Sequence, residues 1–136
     1  CFTKSYAKSG RSKHRDRRKR KMTPRITLVM ADHDVVETAH RLMGGNISPA
    51  KSNGVLGTKP IKVLTVQGSR AVGWMLLLKP HLHSRRASRV NEIVAEWSQT
   101  RLNRGHWKQL QAAASQMPAP VRSIVLKLGR KRLAQS

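Results

Sequence analysis

A chain of 136 residues holds one domain with a real core and is too short for two generous ones. Its 28 Lys and Arg against 6 acids give a formal charge of +22 and a pI near 11.9, too lopsided for an ordinary cytosolic enzyme. Self-repulsion on that scale calls for a polyanionic partner, nucleic acid first, with an anionic membrane surface a weaker rival because no basic amphipathic helix with a broad aromatic face is present.

The single cysteine, Cys1, excludes an internal disulfide framework and a multi-cysteine zinc site. No run of 18 apolar residues offers a membrane span, and no secretory pattern is seen.

Residues 1–7, "CFTKSYA", alternate loosely, with Phe2 and Tyr6 on one face and Thr3, Ser5 and Ala7 on the other. That pattern predicts a short, half-buried strand. The next stretch, "KSGRSKHRDRRKRKMTP", has eight cations from Arg11 to Lys21 and the single acid Asp16. It reads as a long basic hairpin loop or a disordered arm, because nothing in it can bury area. "RITLVM" alternates again, placing Ile26, Leu28 and Met30 opposite Arg25, Thr27 and Val29 in a second strand antiparallel to the first.

"DHDVVETAHRLMGG" predicts a helix with Asp34 and Glu37 at capping-box spacing, an apolar stripe of Val35, Val36, Ala39, Leu42 and Met43, and Gly44 or Gly45 closing it. A strand follows around Ile47, after it the turn residues "SNG", and then a clearer strand in "KPIKVLTVQG", whose apolar run leaves its inward face open. Ser69 is placed to cap "RAVGWMLLLK", a helix apolar nearly all round and therefore buried on most sides.

Pro80 interrupts that ladder. A further helix carries Ala87, Val90, Ile93, Val94 and Trp97 on one stripe, with Arg85, Arg86, Arg89, Asn91 and Glu96 elsewhere. Beyond Ser98 come a polar connection, a short helix near residues 108–117, a break at Pro118 and Pro120, and a basic helix aligning Val121, Ile124, Val125 and Leu128.

The order strand, strand, helix, strand, strand, helix predicts an α+β domain: a four-stranded antiparallel sheet with helices on one face and a basic C-terminal helical tail. The other face of the sheet is then free for phosphates.

Few residues suit catalysis. "DHD", residues 32–34, is the one dense acidic cluster; Asp32 and Asp34 with His33 have metal-binding chemistry, but the helix-end roles of both acids are favoured. His81 and His83 in "HLH" lack a third convergent ligand. No P-loop or dinucleotide glycine pattern is present, and five aromatics are too few for a single-strand stacking platform, which favours a duplex or structured RNA held through its backbone.

The run "GSRAVGWMLLLKPHLHSRRASRVNEIVAEW" resembles the last helix of the LAGLIDADG homing endonuclease family, in which an apolar helix ends in a Leu-x-Pro-x-Leu step followed closely by a basic residue. Here the step is Leu78, Pro80 and Leu82, with Arg85 in the basic position. "PRITLVMADHDVVETAHRLMGG" also looks like the family's second strand running into its first helix after the sheet, so that the resemblance covers residues 1–98 and leaves 99–136 as a basic extension.

The resemblance implies a four-stranded saddle in the DNA major groove, two copies or two repeats joined by LAGLIDADG helices (a homodimer or a second repeat), and Mg²⁺-dependent hydrolysis of phosphodiesters. On this basis Thr3, Ser5, Arg25 and Thr27, and with them Lys62 of the fourth strand, are expected to face double-stranded DNA. Arg85 is expected beside the cleaved phosphate, with Asp32 near the same centre. Arg11, Lys13, Arg17, Arg18 and Arg20 of the basic loop, and the run Arg130 to Arg132, would add sequence-independent phosphate contacts.

The family's LAGLIDADG helix and its metal-binding acid come directly before a strand such as "CFTKSY", and this chain starts at Cys1. The expectation is therefore a fragment whose intact form supplies the Mg²⁺ ligands, in the cytoplasm of a phage or bacterial host or in an organelle, with no membrane. The rival is a non-catalytic nucleic-acid binder, such as an RNA maturase-like or ribosome-associated protein, or a transcription regulator on the same scaffold.

Overall fold

The computed structural model describes residues 1–6, 22–50, 60–99 and 104–134. Strands β1 (Phe2–Tyr6), β2 (Met22–Met30), β3 (Asn46–Ala50) and β4 (Ile61–Gln67) form one antiparallel sheet in the order β1-β2-β4-β3. Helix α1 (His33–Met43) joins β2 to β3, and α2 (Gly68–Leu78), α3 (Ser84–Gln99), α4 (Arg104–Ser115) and α5 (Ala119–Ala134) follow β4. The class is α+β as expected, and the ββαββα order is extended by three further helices.

The alternation in β2 explains which face is covered. Pro24 and Ile26 are buried and Leu28 packs against the core, as do Leu64 and Val66 of β4, which the register places beside them. Onto this face pack Val36 of α1, Ala71, Val72 and Met75 of α2, and Val90, Ile93 and Trp97 of α3. Burying such side chains is worth about 1.5–3 kcal/mol each, so the covered face supplies most of the drive to fold. The two strand prolines sit where they cost little: Pro49 is on an edge strand, and Pro24 pairs with β1 at a level that β4 does not reach.

Helix ends differ in detail from the sequence expectation. Helix α1 starts at His33 with Asp32, not Asp34, at the N-cap, and the Asp32 side chain makes no capping hydrogen bond. Glu37 does not reach back to complete a capping box; it is drawn across to Lys62, whose Nζ donates to Oε1 at 2.7 Å. That hydrogen bond, then the lysine charge, hold the Glu37 carboxyl below its usual pKa. Gly44 closes the helix with a φ of 68°, a conformation that a side chain disfavours. Helix α2 begins one residue before Ser69, with Gln67 at the N-cap and again no side-chain cap.

Pro80 ends α2 through a 3₁₀ turn, Lys79–His81, after which Leu82 is extended and packs on the core. The backbone N–H groups of Arg86 and Ala87 then donate to the His83 carbonyl and start α3.

Residues 104–134 are not a tail hanging from a finished core. Leu110 and Ala114 of α4, Met117, and Val121 and Val125 of α5 belong to the same buried cluster as the sheet residues. The buried positions of α5 are Val121, Val125, Gly129 and Arg132, rotated from the aliphatic stripe expected, because Gly129 admits the Trp107 ring and Arg132 stacks its guanidinium 3.9 Å over the centre of the Trp97 ring. Arg132 is 6% exposed, and burial lowers its pKa. It is thus removed from the phosphate-contacting role expected for it and serves to tie α5 to α3.

Candidate nucleic-acid interface

The face of the sheet opposite the helices carries the odd-numbered residues of β2 and β4, because the pleat sends neighbours to opposite sides. The register sets Thr3 across from Arg25, Arg25 across from Gln67, and Thr27 across from Thr65, with Asn46 on the far side of Thr65. The next row is Val29, Val63 and Ser48, and Ile61 pairs with Ala50. Polar and cationic groups gather at the end of the face where β4 finishes, and aliphatic ones at the other. Val29 is 54% exposed, a large apolar side chain left facing solvent.

Arg25 is not loose on this surface. With the Gln67 amide turned so that both of its ends are satisfied, Gln67 Oε1 accepts from Arg25 Nε at 3.2 Å and Nη2 at 2.9 Å. That contact holds the guanidinium across the β2–β4 pair while its remaining N–H groups stay available to a ligand oxygen. Beside it, a cleft of about 320 Å³ opens between the start of β3, the end of β4 and α4, lined by Asn46, Thr65, Gln67, Ser69, Arg70 and Met117 among others. Arg70 is half-buried there and has no hydrogen-bond or ion-pair partner among the described residues.

Arg25, the Asn46 and Gln67 amides and the hydroxyls of Thr3, Thr27 and Thr65 on the helix-free face, with Arg70 of α2 in the cleft beside them, make an arrangement suited to phosphate oxygens and base edges. Compared with protein-family models, curated proteins and solved structures, the chain matches none. The residues themselves therefore carry the functional reading.

Of the expected DNA-facing residues, Thr3, Arg25 and Thr27 lie together on this face, and Ser5 pairs with Thr23 in the same register. Lys62 does not join them. It is an even-numbered β4 residue on the covered side, where it pairs with Glu37. Arg11, Lys13, Arg17, Arg18 and Arg20 lie outside the described residues. Thr65, Gln67, Asn46 and Ser48 were not singled out from sequence. The signal that finds them is the register: once Leu64 and Val66 are known to face the core, Thr65 and Gln67 must face away.

The expected catalytic pair is less well assembled. Arg85 is exposed in the first turn of α3, Asp32 is exposed at the α1 N-cap, and among the described residues no hydrogen bond or ion pair joins them. The neighbour of Arg85, Arg86, faces the start of β1: the Cys1 amine donates to the Thr27 carbonyl at 2.6 Å, and burial, then the Arg86 charge, lower its pKa.

The residues also do not fit a Mg²⁺ ion. Asp32 stands at the N-cap in an extended conformation and Asp34 in the first turn of α1, both exposed, and His33 Nε2 is engaged with the Pro60 carbonyl at 3.0 Å. Among the described residues no group of three or more His, Cys, Asp or Glu is placed to hold a metal. None of the described helices is long and apolar enough to cross a membrane.

Proposed function

We propose that the chain binds double-stranded DNA along the helix-free face of its sheet, in the manner of the DNA-contacting half of a LAGLIDADG-type homing endonuclease. The observation that carries this reading is the asymmetry of the sheet: one face is sealed by α1, α2 and α3, while the other sets out Thr3, Arg25, Thr27, Asn46, Thr65 and Gln67 in a chain of net charge +22. A four-stranded antiparallel surface with side chains at strand spacing reads base edges, and the surrounding cations bind the backbone irrespective of sequence.

Hydrolysis is not assigned to the residues described. Their donors do not converge on a cation, so cleavage by a protein containing this chain would draw its Mg²⁺ ligands from elsewhere. Arg85 and Asp32 are retained only as residues that such a centre could approach.

Competition between a duplex DNA and a structured RNA of equal length, at fixed ionic strength, tests the assignment. The DNA should compete at least about tenfold better, since A-form RNA presents a narrow major groove that side chains cannot read. A preference for RNA would transfer the sheet to the maturase-like or ribosome-associated reading.

A further inference from the structure

A second cationic surface lies on the helices. The last acid in the sequence is Glu96, and residues 97–136 contain none. The helical pair built from that segment is nevertheless tied together at both ends. At its closed end the Arg122 guanidinium donates to the carbonyls of Ala114, Ser115 and Met117 at 3.1–3.2 Å, and at its open end Gly129 lies against Trp107 and Leu110. These two sets of contacts make α4 and α5 an antiparallel hairpin. Its apolar side docks on α2 and α3.

The opposite side is basic. Arg104 and Lys108 are one turn apart on α4, and Lys127, Arg130 and Lys131 share the arc of α5 that faces away from its buried positions. All five are exposed, and none has an ion-pair or hydrogen-bond partner among the described residues. By contrast, Lys4, Lys62 and Arg89 are each paired with a glutamate. The hairpin thus concentrates unneutralised charge on a rigid scaffold, on the helix side of the molecule. Helix-on-helix packing sets α5 about 8–10 Å from α2, and α2 itself stands between it and the sheet. The α5 cations therefore point away from a duplex lying on the open face of the sheet.

We infer that the outward side of the α4–α5 hairpin is a second nucleic-acid-binding surface, for the phosphate backbone of a duplex segment other than the one on the sheet, so that one molecule bridges two segments. This rests on the sheet's binding duplex DNA, and adds a site and an activity to it. The contacts expected are to phosphate, since two helices meeting side by side with flexible cations present charge and no fixed pattern of donors for bases.

A capture assay tests it: an immobilised duplex retains a second, labelled duplex of different sequence only if the protein holds both. The variant carries Arg104→Gln, Lys108→Gln, Lys127→Gln, Arg130→Gln and Lys131→Gln, and its melting temperature should match that of the unmodified chain because all five side chains are exposed. Bridging should fall about tenfold or more, while binding of a single duplex in solution falls less steeply and loses salt sensitivity by up to about 0.9 in log–log slope for each phosphate contact removed.

Bridging undiminished in the variant overturns the inference. So does an unmodified chain that binds one duplex and never two, a result that leaves the sheet reading intact. If the unmodified chain binds no duplex at all, it is the sheet reading that fails, and this one with it. Loss of binding to phosphatidylserine vesicles with bridging retained would assign the hairpin to a membrane surface and overturn the inference.

Discussion

Raising monovalent salt from 50 to 200 mM should weaken duplex binding by about 10³- to 10⁵-fold if the chain neutralises some 6–10 phosphates. The expectation follows from how the charge is arranged as much as from its total. A protein of net charge +22 has few internal partners for its cations. Among the described residues, ion pairs engage Lys4, Lys62 and Arg89, whereas Arg70, Arg104, Lys108, Lys127, Arg130 and Lys131 have no partner. Such unpaired cations keep their full attraction for phosphate, and each one that displaces a counterion from DNA adds to the slope. Fluorescence anisotropy of a labelled duplex across a salt series gives that slope directly. A flat plot of log affinity against log salt would mean that the charge serves some other purpose.

Replacing Gly73 by alanine should destabilise the fold by about 1–3 kcal/mol, although alanine is the better helix former. A β-carbon at that position would lie 2.6 Å from Val121 Cγ1 and 2.7 Å from Val125 Cγ2, with the Val121 carbonyl oxygen 3.4 Å away. Neither valine can turn aside easily, since a β-branched side chain in a helix has one strongly preferred rotamer. Helix α5 must therefore move off α2. Thermal unfolding followed by circular dichroism should show a melting temperature lower by several degrees. Val125→Ala should cost less in the Gly73→Ala background than in the unmodified chain, or even be stabilising there, because it opens the space that the new methyl needs. A melting temperature unchanged or raised by Gly73→Ala would show that α5 is not seated on α2 as described.

Gly73 also illustrates what could be read from the sequence and what could not. The apolar character of "RAVGWMLLLK" predicts a helix buried on most sides, and so it is, but no local pattern says that its glycine receives two valines from a helix some fifty residues later. The strands were legible where alternation was clean: Ile26 and Leu28 inward, Arg25 and Thr27 outward. The face of β4 was not, because "IKVLTVQ" mixes apolar residues on both sides and only pairing with β2 decides between them. That ambiguity put Lys62 on the wrong side and hid Thr65 and Gln67. The C-terminal segment misleads for a different reason. Its charge dominates its composition, so it reads as a tail, while the buried surface of α5 is completed by a glycine and by an arginine on tryptophan, neither of which registers in an aliphatic stripe.

The central claim is that duplex DNA lies on the helix-free face of the sheet, and matched charge substitutions on two faces test it most directly. Thr27→Glu places a negative charge in the middle of that face, between Arg25 and Val29 and across from Thr65. Thr38→Glu places the same charge on the exposed side of α1. The net charge changes equally, so any difference in affinity reports position alone. Duplex affinity at fixed salt should fall about tenfold or more for Thr27→Glu and stay within about twofold for Thr38→Glu, after correction for the folded fraction of each. Equal losses in the two variants, or a greater loss for Thr38→Glu, would contradict the placement of DNA on the sheet.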